Sequence, residues 1–200
     1  MKGIIKDTLI IFLITLISGL LLGGVYYITK EPIKNNEKIA KDKACKQVFK
    51  EATAFEDANL DNLSNYVPSE YKSFLTLDEV LVAKKDSESI GYVITVTTSE
   101  GYGGNIKLVV GIDNEGTVKN IAFLEISETA GLGMNATKDK FYSQFSDKKV
   151  EKFVYTKNGK SADNEIDAIS SATITTNAVT NAVNGTISIF HKINSLGGKQ

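Results

Sequence analysis

The feature that most constrains this chain is a run without any charged residue from Thr8 to Thr29. As an α-helix it would span roughly 33 Å, enough to cross the hydrocarbon core of a bilayer. Tyr26 and Tyr27 lie at its far end, where interfacial aromatic residues are common. The run is longer than the apolar core of a secretory signal peptide, and no clear small-residue cleavage site follows it. The sequence therefore predicts a retained single-span anchor over residues 8–29, after a short tail at residues 1–7.

The lysines on either side of this anchor leave its orientation open. Lys2 and Lys6 precede the span, and the lysines that follow it closely are Lys30, Lys34, Lys38, Lys41 and Lys43. Positive residues tend to stay in the cytoplasm, although a long domain can cross the membrane despite its charge. Charge alone therefore does not decide the orientation and, if anything, favours a cytoplasmic domain.

The composition argues against several classes of function. The net charge of −1 is not that of a typical nucleic-acid-binding protein. The 23 basic residues are all lysine, so bidentate recognition of phosphate by arginine is excluded. With one cysteine, Cys45, the chain has neither an internal disulfide nor a thiolate metal cluster. The one histidine, His191, is far from Cys45 in sequence, which argues against a Cys–His or Ser–His hydrolase. We expect Cys45 to be a buried thiol and His191 a partly exposed helix residue.

The residues after the anchor predict an α+β domain. Pro32 is expected to end the anchor, and residues 35–55 have helical spacing. The segments rich in Val, Ile and Thr, each bounded by turn-forming residues, are Leu81–Ala83, Ile90–Thr98, Asn105–Ile112 and Thr117–Ser127. They predict a twisted antiparallel sheet with one face packed against the core and the other face in solvent.

Helices and one further strand are predicted to complete the domain. A short helix is expected to begin near Ala136, followed by a strand over residues 150–156 and a polar loop over 157–165. From Thr173 to about Ile193 the apolar residues return to helical spacing, and one of their rows contains Ile174, Ala178 and Ala182.

Two glycine-rich segments interrupt this pattern. SETAGLG (Ser127–Gly133) follows a strand, and GYGGN (Gly101–Asn105) joins two strands. Gly131 and Gly133 allow a positive φ or a close backbone approach, with Leu132 displayed between them. Neither segment has the pattern of a phosphate-binding P-loop or of a dinucleotide fingerprint. From composition alone, both are ordinary loops.

The segment DAISSATITT (Asp167–Thr176) gathers hydroxyls beside one carboxylate at the start of the last helix. Ser170 or Ser171 could simply cap that helix, and physical chemistry alone favours this interpretation. Thr173 lies in the first turn, where unpaired N–H groups and the helix dipole stabilise a phosphate without any arginine. The alternative is therefore a phosphoester on Thr173.

The order of the residues resembles a known family. Asp167, Ser170, Ala172 and Thr173 fit D-x-x-[S/T]-G-A-T, the flavinylation motif of the FMN-binding domain family. SETAGLG resembles the S-E-T-P-G-L-G segment of that family, and GYGGNIKLVVGID resembles its G-Y-G-G-x-I entry into the sheet. The three segments follow the family's order. The chain departs from the family at Ser171, in place of the motif glycine, and at Ala130, in place of proline.

The resemblance implies a covalent flavin site. A flavin transferase would attach FMN to Thr173 through a phosphoester, with Asp167 required for attachment and Ser170, Ser171 and Ala172 forming the tight approach. The isoalloxazine would lie against Leu132, with hydrogen bonds from Glu128 and Thr129. The flavin-binding residues implied by the resemblance are Glu128, Thr129, Gly131, Leu132, Gly133, Tyr102, Gly103 and Gly104. No catalytic residue and no metal ligand is expected.

Within the family the likeness is to the G subunit of Rnf-type ion-translocating complexes. This implies an FMN-binding domain over residues 30–200 on the extracytoplasmic side of the cell membrane. It also implies an electron-relay subunit of a ferredoxin:NAD oxidoreductase, partnered by other membrane subunits, rather than a complete enzyme. The alternatives are the C subunit of a sodium-pumping NADH:quinone reductase, a stand-alone flavin domain for extracellular electron transfer, and a non-redox binding module.

Overall fold

The computed structural model describes residues 2–197, and its first element is one helix, α1 (Lys2–Val48). Pro32 lies inside this helix, so the prediction that it ends the anchor helix is wrong. Proline removes one main-chain donor, but the run of lysine, glutamate and alanine after it favours helix enough to continue α1. By its internal contacts the chain divides into two compact units, Met1–Lys41 and Asp42–Gln200.

The charge-free run, residues 8–29, lies in the first unit and is helical along its whole length. It belongs to the one helix in the described chain that is long and apolar enough to cross a membrane, with a mean hydropathy of 2.5 in its most apolar window. Its threonine hydroxyls bond to carbonyls one turn earlier: Thr8 donates to Ile4 and Thr29 to Val25, both at 2.8 Å. These hydroxyls need no water, as a hydrocarbon environment requires.

The second unit is built on a five-stranded antiparallel sheet. Its strands, in spatial order, are β1 (Ala54–Asp57), β2 (Leu75–Lys85), β3 (Glu88–Thr98), β4 (Ile106–Asp113) and β5 (Val118–Glu125). The predicted antiparallel sheet flanked by helices is confirmed. β1 was missed because the predicted helix ran to Phe55, whereas α1 ends at Val48 and Ala54–Asp57 pair with β2.

Both faces of this sheet are covered, so the prediction of one solvated face is wrong. On one face the last turns of α1, with Ala44, Cys45 and Val48, pack against residues that include Val93 and Val109. Cys45 is 2% exposed, as expected for a buried thiol. The opposite face lies under the last helix, α3 (Thr173–Gly197). Because neighbouring residues of a central strand point to opposite faces, β4 is buried on both sides and reads as a continuous apolar run.

The segment between β5 and α3 contains short elements. A 3-10 helix (Gly133–Thr137), α2 (Asp139–Tyr142) and a second 3-10 turn (Ser143–Phe145) come first. The short strands β6 (Val154–Thr156) and β7 (Glu165–Asp167) then pair in parallel. β7 was predicted as loop because only three residues form it.

Asn184 of α3 ties the chain before β6 to this helix. Its side-chain oxygen accepts from the Phe153 N–H at 2.8 Å, and its amide donates to the Phe153 carbonyl at 2.9 Å. All of these groups are buried, which fixes the short parallel pair against α3. His191, further along α3, is exposed, as predicted.

Candidate functional site

The two glycine-rich segments meet at Glu128, whose side chain is buried at 8% exposure. Its carboxylate accepts a hydrogen bond from the Thr175 hydroxyl at 3.0 Å and from the Gly103 N–H at 3.2 Å. Thr175 lies in the first turn of α3, and Gly103 lies in the loop between β3 and β4. One carboxylate thus joins SETAGLG, GYGGN and the start of α3.

Small residues are needed for this junction to close. A Cβ on Gly133 would lie 2.5 Å from the Glu128 Oε2 and 2.6 Å from the Thr175 Oγ1, and a Cβ on Gly103 would lie 2.1 Å from the Ser127 carbonyl oxygen. Gly131 has φ +78°, a left-handed conformation that favours glycine. The expected positive φ is therefore confirmed for Gly131, and the expected close approach is confirmed for Gly133.

Large apolar side chains are exposed on each of the joined segments. Leu132 is 40% exposed, as its predicted display requires, and Tyr102 is 71% exposed. Ile174 is 53% exposed, although its helical row predicted burial with Ala178 and Ala182. In the first turn of α3 the buried positions are occupied instead by Thr175 and Thr176. Such side chains offer an apolar surface on which a planar ring system can lie.

The three threonines of the first turn of α3 differ in how their hydroxyls are used. The Thr175 hydroxyl donates to Glu128. The Thr176 hydroxyl donates to the Ala172 carbonyl at 2.9 Å and accepts from the Ile169 N–H at 3.0 Å. Thr173 is half-buried, and its hydroxyl makes no hydrogen bond within residues 2–197. Among these threonines only Thr173 has a hydroxyl available for chemistry.

The N-terminus of α3 has no side-chain cap in the described chain. The Ala172 carbonyl accepts the first helical hydrogen bond, from the Thr176 N–H at 3.0 Å, so Ala172 occupies the N-cap. The interpretation that Ser170 or Ser171 caps the helix is therefore wrong, and both serines are exposed. The N–H groups of the first turn, with the positive end of the helix dipole, remain available to an anion such as a phosphate on Thr173.

Ser171 has φ +59°, which explains why glycine would suit this position. An L-residue has a steric cost in the left-handed region, where glycine does not. A serine can adopt the turn, so the approach to Thr173 keeps its shape.

We expect Ser171→Gly to stabilise the fold by about 0.5–1 kcal/mol, because the left-handed strain is relieved while no side-chain hydrogen bond is lost. Thermal unfolding of the full chain in detergent, followed by circular dichroism, would measure the effect. Ser170→Gly is the matched control, since Ser170 is not among the residues with positive φ and should lose a few tenths of a kcal/mol. A Ser171→Gly variant that is less stable than the natural chain would show that the backbone at Ser171 is not strained.

Asp167 lies apart from the junction at Glu128. Its Oδ1 accepts from the Lys160 N–H at 2.6 Å, which closes the loop between β6 and β7. Its main-chain N–H donates to the Gln144 side-chain oxygen at 2.8 Å, and its carbonyl accepts from the Gln144 amide at 3.3 Å. No hydrogen bond joins Asp167 to Thr173 among residues 2–197. The structure thus brings the glycine-rich segments to the first turn of α3, whereas Asp167 organises the loop that precedes it.

Thr175, Gln144 and Lys160 were missed at the sequence level. Thr175 could have been found, because it lies one helical turn before Val179 on the buried face and its hydroxyl there requires a partner. Gln144 and Lys160 act through contacts that depend on the folded loop, and no pattern in the sequence marks them.

Family models match most of the chain. The FMN-binding domain model matches residues 101–188, and the RnfG N-terminal region model matches residues 1–48. The G subunit of the proton-translocating ferredoxin:NAD(+) oxidoreductase complex of Clostridium ljungdahlii is 35% identical over 185 residues, which are 89% of this chain and 90% of that protein. The G subunit of the Na(+)-translocating ferredoxin:NAD(+) oxidoreductase complex of Acetobacterium woodii is 28% identical over 197 residues, 96% and 94% of the two chains.

A solved structure shares the fold. The crystal structure of Shewanella oneidensis NqrC matches with a TM-score of 0.50 and 16% identity, over 75% of this chain and 88% of NqrC.

Proposed function

The chain belongs to the family formed by the G subunits of ferredoxin:NAD(+) oxidoreductase complexes and contains an FMN-binding domain, and from this we propose that it carries FMN on Thr173. In this proposal it relays electrons within an Rnf-type ion-translocating complex. The observation that carries the proposal is the Thr173 hydroxyl, which is free of hydrogen bonds within residues 2–197 and lies at an uncapped helix N-terminus beside the Glu128 junction.

The side chains present suit a phosphorylated planar ligand. The first turn of α3 offers N–H groups to the phosphate of an FMN attached to Thr173. Leu132, Tyr102 and Ile174 expose apolar surface for a ring system. A Cβ built at Gly131 or Gly104 meets no atom within 4 Å, so main chain is open to a ligand there.

Attachment is a phosphoryl-group transfer without any redox change. The Thr173 Oγ attacks the FMN-side phosphorus of FAD, a new Oγ–P bond forms and the P–O bond of the pyrophosphate breaks. AMP leaves with the bridging oxygen, and the hydroxyl proton passes to a base in the transferase complex. Asp167 contributes by fixing the loop before the acceptor through its hydrogen bond to Lys160.

Once attached, FMN supplies the electron-transfer chemistry, and the protein supplies tethering and orientation. Leu132 and Ile174 present the apolar surface, while Thr129 lies on the exposed side of the same loop. Glu128 holds the three segments together through its hydrogen bonds to Gly103 and Thr175.

We place the anchor at residues 8–29 and the FMN-binding domain at residues 30–200, on the extracytoplasmic side of the cell membrane. The apolar helix supports the anchor. The side rests on the family likeness, against the excess of lysines after the span. The partners are the other membrane subunits of the complex and, during maturation, a flavin transferase.

The full chain should gain the mass of one FMN when it is produced with an active flavin transferase and FAD, and none without the enzyme. Intact-mass spectrometry and in-gel flavin fluorescence measure this. The transferase must be shown active on another substrate in the same experiment. A colourless, unmodified chain under these conditions would contradict the proposal and favour a non-redox binding module.

A further inference from the structure

A cleft of about 540 Å³ opens beside the flavinylation motif. Its walls are the segment around α2, the loop between β6 and β7, and the stretch from Asp167 to Ser170. Phe141 and Ile169 contribute buried apolar surface, 4% and 8% exposed. The cleft is large enough for a peptide side chain or a small ligand.

Lysines dominate the charge of this cleft. Lys138, Lys140 and Lys157 line it, all three are exposed, and none forms an ion pair among residues 2–197. The carboxylate in the lining is that of Asp167, and one of its oxygens already accepts from the Lys160 N–H. Some lysines elsewhere in the domain are paired, as Lys148 is with Asp163 at 2.5 Å. The cleft therefore offers three lysine charges that lack a partner within the described chain.

The loop that begins at Lys157 is braced by hydrogen bonds at its far end. Ser161 donates to Glu165 through its N–H at 2.6 Å and its hydroxyl at 2.9 Å, and the Ala162 N–H adds a third bond at 3.2 Å. These bonds, the Ser161 N–H foremost, hold the pKa of Glu165 below its usual range. A lowered pKa means that the bracing is complete above the usual carboxyl pKa and is lost as the pH falls through the folded value. The loop is thus fully braced at neutral pH.

We propose that this cleft is the docking surface for an acidic segment of the flavin transferase. This rests on the proposed attachment of FMN to Thr173. An enzyme that modifies Thr173 must approach the stretch from Asp167 to Ser170, which forms one wall of the cleft and precedes the acceptor in the chain. Three lysines without partners complement an acidic surface and steer its approach.

The test reverses these charges in the full chain, as Lys138→Glu, Lys140→Glu and Lys157→Glu together. The matched control reverses Lys46, Lys50 and Lys72, which are also exposed and do not line the cleft. The initial rate of adduct formation is measured by intact mass across a range of chain concentrations. The dissociation constant for the transferase is measured separately, with both proteins in detergent.

We expect the cleft variant to raise KM and the dissociation constant at least tenfold with kcat within twofold, while the control changes neither by more than twofold. For the natural chain KM should rise with added salt, and this dependence should weaken in the cleft variant. A triple Lys→Gln variant removes the three positive charges without adding negative ones. Its KM should lie between that of the natural chain and that of the triple Lys→Glu variant. The circular dichroism spectra of the triple Lys→Glu and Lys→Gln variants would show that both are folded.

Three outcomes would overturn the docking surface. The first is a cleft variant whose KM and dissociation constant match the control. The second is a loss of kcat at unchanged KM. The third is binding of AMP or inorganic phosphate to the natural chain alone, abolished in the cleft variant, which would make the cleft a small-anion site. The failure of the natural chain to gain any adduct would instead refute the proposed attachment itself.

Discussion

Thr173→Val should abolish the FMN adduct, so that intact mass shows only the unmodified chain after incubation with transferase and FAD. Valine has nearly the shape of threonine but no nucleophilic oxygen. The Thr173 hydroxyl makes no hydrogen bond among the described residues, so its removal should leave the fold intact. We expect the melting temperature to stay within about 2 °C of the natural chain, because no buried group loses a partner.

Neighbouring hydroxyls provide the controls for this loss. Thr173→Ser keeps an oxygen at the same helix terminus and should still be modified. Ser170→Ala and Ser171→Ala test the two exposed serines beside Thr173 as alternative acceptors, and any flavin that either variant carries should still be on Thr173. Peptide mapping by tandem mass spectrometry would locate the flavin in each variant. A full adduct on Thr173→Val would move the acceptor to another residue.

Local patterns predicted most of the sheet. β3, β4 and β5 were found nearly complete because their Val, Ile and Thr residues are bounded by turn-forming residues. The prediction of a solvated face was wrong because the last turns of α1 pack on that face, a long-range contact without any local signal. β1 and β7 are short strands of four and three residues, and they are fixed by pairing rather than by composition.

Only part of the candidate site could be predicted from the sequence. The family likeness singled out Thr173, and the helix terminus gave it a physical reason. The left-handed conformation of Ser171 could not be predicted from its residue type, because serine does not favour a positive φ. Helical spacing could not predict that Ile174 is exposed. The side chains buried in the first turn of α3 are decided by the segments that pack against that turn. The pairing of Glu128 with Thr175 joins residues that are far apart in sequence.

Glu128→Ala should destabilise the fold by about 2–4 kcal/mol, because it removes two hydrogen bonds to a buried carboxyl group and leaves the Thr175 hydroxyl buried without a partner. Urea unfolding of the full chain in detergent would measure the change. The loss should also slow adduct formation on Thr173, since the first turn of α3 is then no longer tied to the two glycine-rich segments.

The isosteric change separates this structural role from a flavin contact. Glu128→Gln can still accept from the Gly103 N–H and bond to Thr175, so we expect a cost below about 1 kcal/mol and an unchanged rate of attachment. A double-mutant cycle that combines Glu128→Ala with Thr175→Val should show coupling of about 1–2 kcal/mol, because the two natural side chains share one bond. If Glu128 instead acts on the ring, Glu128→Gln would shift the midpoint potential of the flavin-bearing chain while its unfolding stayed unchanged. That result would make Glu128 a flavin ligand in addition to the residue that joins the three segments.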